Sequence, residues 1–253
     1  MPSDRPPISP PPDWYEDAFG DLYNVIYAHR TVEAAAPEAA FAVQVLKLTS
    51  HDRVLDLCCG SGRHLVHLAK VAGCAVGLDY SRPLLLQGRG LLGPRTRLVR
   101  ADMRAVPFDA AFDAVTNFFT SFGYFLDDAD NMQVISEMAR ALKPGGRFFI
   151  DYVNPAHVRD TLEPESRRVS GRYEIAEKRW IDEATHRINK RITVRTNGVD
   201  TYRFFESVRL YSEQEMRSLL PIAGLQIQRI FGGYCDAQGP LPERMILVGC
   251  RCR

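Results

Sequence analysis

The stretch Val54-Leu55-Asp56-Leu57-Cys58-Cys59-Gly60-Ser61-Gly62 decides how this chain is interpreted. Its first four residues predict a buried strand carrying an acidic side chain, and its glycines predict a tight turn into a helix from about Arg63. Such a turn, at the carboxyl end of a parallel strand, lets a ligand approach the backbone where a side chain would block it. Any tight strand-to-helix turn also favours glycine, so further features must distinguish a binding site from a plain turn.

Short apolar strands alternate with amphipathic helices on the carboxyl side of this stretch. Strands are predicted at 53–57, 75–78, 97–100, 114–118 and 147–153, and helices from about 63, after 81 and at 130–142. Strands that alternate with helices pair in parallel and carry helices on both faces of the sheet. The pattern therefore predicts a doubly wound α/β domain, which two final strands at 225–230 and 245–250 complete.

The two remaining regions have different patterns. Residues 1–12 contain six prolines and predict a disordered tail, whereas helical spacing over 14–48 predicts two helices. Long alternating stretches at 172–181, 186–196 and 202–211, with the hairpin signal Asn197-Gly198, predict an antiparallel three-stranded subdomain. The predicted organisation is a tail at 1–12, a main domain at 13–164 and 211–253, and an insert at 165–210.

Acidic residues also end the second and third predicted strands. Asp79 lies about 20 residues beyond the glycine turn, where a carboxylate can accept hydrogen bonds from ribose hydroxyls. The third strand ends at Ala101-Asp102-Met103, where the carboxylate can accept from an adenine amino group while Met103 packs on the ring. An acidic residue at one strand end is often only a helix cap, but three successive strand ends together indicate a nucleoside ligand.

At these positions the sequence resembles the class I S-adenosylmethionine-dependent methyltransferases, which carry an acidic-x-Gly-x-Gly-x-Gly motif after the first strand. Cys58 stands where the first glycine often does, and the resemblance continues through residues 112–119 and 142–147. It implies a seven-stranded Rossmann-like sheet and S-adenosylmethionine as cofactor. The implied cofactor-binding residues are Tyr23, Tyr27, Arg30, Asp56, Cys58, Gly60, Gly62, Asp79, Tyr80, Ala101, Asp102, Met103, Asn117 and Phe118.

Methyl transfer from a sulfonium is an in-line displacement, so the protein mainly aligns donor and acceptor and excludes water. The segment after the fourth strand faces the methyl group in this family, which makes Asn117, Thr120, Ser121 and Tyr124 the candidate catalytic residues. The insert resembles the substrate-covering or dimer-forming sheets of small-molecule N- and O-methyltransferases. A small-molecule acceptor is therefore expected, with either a covering or a homodimer-forming insert.

Several alternatives remain beside this interpretation. A nicotinamide-dependent oxidoreductase would need a third glycine where Leu65 stands. A non-catalytic S-adenosylmethionine-binding module is a second alternative, against which the intact glycines, Asp79 and Asp102 argue. A protein or RNA acceptor is disfavoured because Asn117 precedes Phe118-Phe119 rather than Pro-Pro-aromatic, and no cysteine there supports cytosine C5 chemistry.

Composition limits the partners further. The net charge of +1 predicts no nucleic-acid or anionic-membrane partner, and the absence of a long apolar run or signal-like start predicts a cytoplasmic protein. The six cysteines form no C-x-x-C pair, so no metal site is predicted.

Overall fold

The computed structural model describes residues 9–94, 96–234 and 242–252. Most of the predicted tail, residues 1–8, lies outside this range. The described helices are Trp14–Ala18 (α1), Tyr23–Ile26 (α2), Ala36–Leu46 (α3), Leu65–Val71 (α4), Arg82–Gly88 (α5), Asp128–Ala141 (α6), Pro155–Thr161 (α7) and Glu213–Ile222 (α8). The described strands are Arg53–Leu57 (β1), Cys74–Asp79 (β2), Thr96–Arg100 (β3), Phe112–Asn117 (β4), Leu142–Val153 (β5), Glu165–Ser170 (β6), Tyr173–Asp182 (β7), Arg187–Thr196 (β8), Val199–Arg209 (β9), Leu225–Phe231 (β10) and Arg244–Arg251 (β11).

Seven strands form one mixed sheet in the order β10-β11-β5-β4-β1-β2-β3. The pairs β1·β2, β2·β3, β1·β4 and β4·β5 are parallel, whereas β11 is antiparallel to both of its neighbours. The predicted doubly wound, seven-stranded sheet is therefore confirmed. Because β1 to β4 run in parallel, their carboxyl ends meet at one edge, where ligands bind in this class of fold.

Alternating residues of β1 face the two sides of the sheet. Leu55 and Leu57 join the core beneath α6 and α8, whereas Val54 packs on the opposite side with α3 and α4. On that side Leu65 lies so close to Gly77 of β2 that a Cβ there would be 2.7 Å from its Cδ2 atom. Close packing of helix on strand is thus achieved with a glycine on the strand and a leucine on the helix.

The leading segment contains three short helices rather than the two predicted. Gly20 interrupts the helical spacing between α1 and α2, and turns at residues 27–29 and 32–35 separate α2 from α3. These helices pack partly on loops, since Trp14 Nε1 donates to the carbonyl of Tyr124 at 3.2 Å. The capping box predicted by Ser212 and Glu215 is present, and Gly224 follows α8 with a φ of 79°.

The insert has four antiparallel strands in the order β6-β7-β8-β9, so the predicted count of three is wrong. The additional strand, β6, is polar apart from Val169, which is exposed, and it therefore has no apolar alternation to signal it. Backbone pairing with β7 and an ion pair of 2.9 Å between Arg168 and Glu177 stabilise it instead. The predicted Asn197-Gly198 turn is present, with φ values of 53° and 77°.

The insert packs against the leading helices through a separate apolar cluster. Ile26 and Tyr27 of the leading segment contact Ile175, Ile192 and Val194 of the insert sheet, and all five are buried. The longest described helix, α6, has 14 residues, and no described helix combines the length and apolar character of a membrane span.

Candidate active site

A cavity of about 270 Å³ opens where β1, β2 and β3 end. The described residues that line it come from these strand ends, the leading helices and the loop after β4. The residues predicted for the site that line this cavity are Tyr23, Arg30, Cys58, Gly60, Asp79, Tyr80, Ala101, Asp102, Met103, Phe118, Ser121 and Tyr124. Parallel pairing of the three strands therefore brings together residues that are up to 45 positions apart in the sequence, from Cys58 to Met103.

The turn after β1 has three residues with left-handed backbone. Gly60 and Gly62 have φ values of 56° and 81°, as their lack of a Cβ permits, and Cys58 adopts 63° despite its side chain. The turn is held by a hydrogen bond from Cys59 N to the carbonyl of Leu78, at 3.0 Å. Cys58, which stands where a family glycine often does, therefore adopts the left-handed backbone that glycine favours, at a cost of about 1 kcal/mol.

Asp79 joins this turn to the end of β2. Its carboxylate accepts from Gly60 N at 2.7 Å and from Ser81 N at 2.8 Å. Burial raises the pKa of Asp79, while hydrogen bonds from the amides of Ser81, Gly60 and Tyr80 oppose the rise. These amides leave the carboxylate with remaining acceptor capacity, and Asp79 lines the cavity, so the side chain can accept from a ribose hydroxyl.

The end of β3 contributes a carboxylate that is already paired. Arg104 binds Asp102 with both Nε and Nη2, the latter at 2.7 Å, and also pairs with Asp130. Burial raises the pKa of Asp102, but the hydrogen bonds with Arg104 outweigh burial and hold the pKa below its usual value. The neighbouring Met103 is buried, with its sulfur 3.3 Å from Cys58 Sγ, and presents an apolar surface to the cavity.

Five predicted site residues lie behind the cavity wall. Asp56 accepts from Thr116 Oγ1 at 3.0 Å, and Asn117 donates to the carbonyl of Leu57 at 3.0 Å. One side-chain oxygen of Asp56 and one of Asn117 are buried without a partner among the described residues. The other three are Gly62 in the turn, Tyr27, whose hydroxyl donates to Glu206, and Thr120, which accepts from Arg244.

The loop after β4 forms another part of the cavity wall. Phe119 and Thr120 both adopt left-handed backbone, with φ values of 57° and 62°. Asp151 stabilises this conformation, because its side chain accepts from Phe119 N at 2.7 Å and its carbonyl from Thr120 N at 2.8 Å. Burial raises the pKa of Tyr124 well above its ordinary value, so its hydroxyl stays protonated at the cavity surface.

Sixteen of the described cavity residues were not predicted as site residues, and three of them, Arg63, His64 and Phe119, bear on the chemistry of the site. His64 stacks on Phe118 at a centroid distance of 4.0 Å and contacts Glu38 Oε2 through Nε2 at 2.5 Å. Burial lowers the pKa of His64 to about 4, against the opposing effect of Glu38, so the ring is neutral at pH 7. Only their positions in the sequence could have indicated them. Arg63 and His64 follow Gly62, and Phe119 lies two residues after the end of the fourth strand.

Comparison with known proteins places this geometry in a family. The family described as Methyltransferase domain matches residues 54–146. The cypemycin N-terminal methyltransferase of a Streptomyces species is 30% identical over 203 residues, which cover 77% of this chain and 81% of that protein. The dTDP-3-amino-3,4,6-trideoxy-alpha-D-glucopyranose N,N-dimethyltransferase of Streptomyces venezuelae is 28% identical over 228 residues, covering 87% and 94%.

A solved structure has the same fold. S-adenosylmethionine-bound CalS10, an amino pentose methyltransferase from Micromonospora echinaspora, superposes with a TM-score of 0.67 at 21% identity, covering 91% of this chain and 96% of that one. The sheet order and the three strand ends define an α/β enzyme that binds an adenosyl cofactor. The chain belongs to the class I S-adenosylmethionine-dependent methyltransferases, and S-adenosylmethionine is its cofactor. The oxidoreductase alternative is thereby set aside.

Proposed function

We propose that this enzyme methylates an amino nitrogen of a small molecule by in-line displacement. The two Streptomyces relatives support the proposal, because one name specifies N,N-dimethylation of a dTDP-amino sugar and the other methylation of an N-terminus. The observation that carries it is the loop after β4, whose Phe118, Phe119 and Tyr124 line the same cavity as the three strand ends, so an acceptor at this loop would lie beside the cofactor. An amine needs little more than alignment there, since its lone pair is already nucleophilic once it is unprotonated.

The proposed cofactor contacts follow from the geometry of the cavity. Asp79 would bind the ribose hydroxyls and Met103 would pack on adenine, with Tyr80, Ala101 and the partly committed Asp102 around the ring. The methionyl part would lie along the turn of residues 58–60, with its carboxylate at Arg30 and Tyr23. The five predicted residues behind the wall would support the turn and the leading helices rather than contact the ligand.

The other residues of the cavity would position the acceptor for methyl transfer. When bound, S-adenosylmethionine supplies a methyl group activated by the positive charge on sulfur. Phe118 and Phe119 would exclude water from the transfer path. The hydroxyl of Tyr124, protonated because burial raises its pKa, would accept a hydrogen bond from the amine N–H and point the nitrogen lone pair at the methyl carbon. Ser121, whose hydroxyl donates to the carbonyl of Phe118 at 2.8 Å, would keep that wall in place.

Asp79 provides the first test of this arrangement. We expect Asp79→Ala to weaken S-adenosylmethionine binding by about 1.5 to 3 kcal/mol, measured by calorimetry, because charge-assisted hydrogen bonding to the ribose is lost. Asp79→Asn, which keeps one acceptor oxygen, should lose less. Asp160→Ala, at an exposed position of α7, is the matched control and should bind normally. Unchanged affinity in Asp79→Ala would refute the ribose role.

The acceptor class is tested directly with methyl-labelled cofactor and a panel of paired amines and alcohols. Labelled product from amines, and none from the matched alcohols, is expected. Product from the alcohols alone would overturn the proposed nitrogen chemistry.

The remaining partners stay proposals as well. We propose that nucleic acid is not a substrate, which the net charge of +1 supports, and that the enzyme is cytoplasmic. For the insert we propose a covering role, supported by its contacts with the leading helices. A homodimer is the alternative, favoured by exposed Val199 and Tyr202 on β9. Light scattering at micromolar concentration distinguishes the two, since a monomer mass excludes the dimer.

A further inference from the structure

Two guanidinium groups flank one aromatic ring in the wall beside the proposed acceptor position. The Cζ atoms of Arg30 and Arg63 lie 4.6 and 4.7 Å from the ring centroid of Phe119, and all three side chains line the cavity. Phe119 is held in place by its hydrogen bond to buried Asp151. The two cations are therefore positioned by a rigid part of the wall.

Most of the hydrogen-bonding capacity of these two arginines is unused within the described residues. Arg30 donates once, from Nη1 to the hydroxyl of Tyr23 at 2.8 Å, and its buried Nε has no partner there. Arg63 donates once, from Nη1 to Glu38 at 3.2 Å. Each guanidinium carries five N–H donors, and leaving them unpaired in a partly dry cavity is costly. An anionic ligand would satisfy them.

The other charged groups nearby are already paired. Arg244 lies 5.3 Å from the same ring but binds Asp151 and Thr120. Glu38 is shared between Arg63 and His64, and His64 is neutral because burial lowers its pKa. Two arginines against one shared glutamate leave this end of the cavity with an excess positive charge.

The cofactor accounts for only part of this excess. Its single carboxylate, which the proposed function assigns to Arg30, is accompanied by a positive sulfur and an ammonium group. Within the described residues Glu38, whose Oε2 atom also contacts His64, is then the only anionic partner of Arg63. A plain cationic or neutral amine would not compensate its charge.

We propose that the acceptor carries an anionic group, a carboxylate or a phosphate, that Arg63 binds beside Phe119. This inference rests on the proposed function, because it places the acceptor next to the cofactor. The anion would anchor one end of the acceptor while the amine at its other end reaches Tyr124. The substrate class is thus an amine that also bears an acidic group.

The test uses S-adenosylhomocysteine-loaded protein, in which the carboxylate of the cofactor already occupies its own site. Binding of S-adenosylhomocysteine is measured first by calorimetry, and inorganic phosphate and acetate are then titrated separately at low salt. We expect saturable binding of at least one anion and a loss of about tenfold in affinity in Arg63→Gln. Arg63→Lys should bind the anion with intermediate affinity, because lysine keeps the positive charge but lacks the planar guanidinium group.

Arg217→Gln, on the exposed face of α8, is the matched control and should bind anions as the wild type does. Preference for phosphate or for acetate distinguishes the two sources of the anionic group. Normal S-adenosylhomocysteine binding with equal anion affinity in wild type and Arg63→Gln overturns the anion site and leaves the proposed function intact. Failure to bind S-adenosylhomocysteine overturns both.

Discussion

Asp56 combines complete burial with an incomplete set of hydrogen bonds. Thr116 donates to one carboxylate oxygen, and the other has no partner among the described residues. Burial raises the pKa of Asp56 to about 7, against the opposing hydrogen bond from Thr116. The carboxylate beneath the glycine turn is therefore only partly ionised at neutral pH.

This raised pKa predicts a pH-dependent stability. Because the pKa in the folded protein exceeds the ordinary value of 3.8, the stabilising effect of the proton is complete below pH 4 and is lost as the pH rises to about 7. Asp56→Asn cannot ionise, so its Tm relative to the wild type should rise by roughly 5 °C between pH 5 and pH 8. Thermal unfolding without ligand measures this. A constant Tm difference would mean that Asp56 titrates normally.

At the scale of elements, the loop after β4 has more structural constraints than its irregular backbone suggests. Asp151 binds its first half, and buried Arg187 donates to the carbonyls of Gly123, Tyr124 and Phe125 in its second half, at 2.9 to 3.0 Å. Two separate sheets therefore position the wall that carries Tyr124.

Gly123 is the tightest point of this loop. Its φ is 86°, and an added Cβ would lie 3.1 Å from the hydroxyl of Tyr152 and 3.2 Å from the carbonyl of Arg209. We expect Gly123→Ala to lower the free energy of unfolding by about 2 to 3 kcal/mol in urea, through backbone strain and steric contact. Gly145→Ala is the control, since its φ of 76° is similar but no atom lies within 4 Å of the added Cβ. It should lose only about 1 kcal/mol, and equal losses would argue against steric contact at residue 123.

At the scale of the whole molecule, the insert is joined to the loop after β4 by polar contacts and to the leading helices by apolar packing. Arg187 of β8 is 4% exposed and also binds the side chain of Ser207 at 2.7 Å. Beside the leading helices, Lys190 and Glu206 form an ion pair of 2.6 Å. Both side chains also contact the hydroxyl of Tyr27. We therefore expect the insert and the main sheet to unfold together.

Arg187 is the residue that tests this coupling. Arg187→Met would remove one donor from each of the carbonyls of Gly123, Tyr124 and Phe125, although each keeps one other donor, and would also remove the bond to Ser207. Calorimetry should therefore report a loss of about 2 to 3 kcal/mol in stability. Arg203→Met, at a position where the side chain is 67% exposed, should cost almost nothing. Wild-type protein should melt in one transition, and a separate transition for the insert would contradict the proposed coupling.

The main domain was predictable because its signals are local. Apolar runs that alternate with helical spacing identify β1 to β5, and Ser212 with Glu215 identifies the start of α8. β6 escaped prediction because a polar strand held by backbone pairing and by Arg168 has no periodic apolar face.

The cavity was only partly predictable. Asp79 and Asp102 stand at strand ends, and parallel pairing places such residues at one edge of a sheet. Arg63, His64 and Phe119 had no such signal, because their environment depends on Glu38, Phe118 and Asp151 from elements distant in the sequence.

The sequence by itself determined the class of sheet, the glycine turn and the acidic strand ends, since these depend on residue type and short spacing. Only the tertiary structure decided which side chains form ion pairs, which carbonyls accept hydrogen bonds from Arg187 and which two arginines flank Phe119. Hydrogen bonds and ion pairs act over a few ångströms between residues up to 179 positions apart, so their partners are set by packing and not by local sequence.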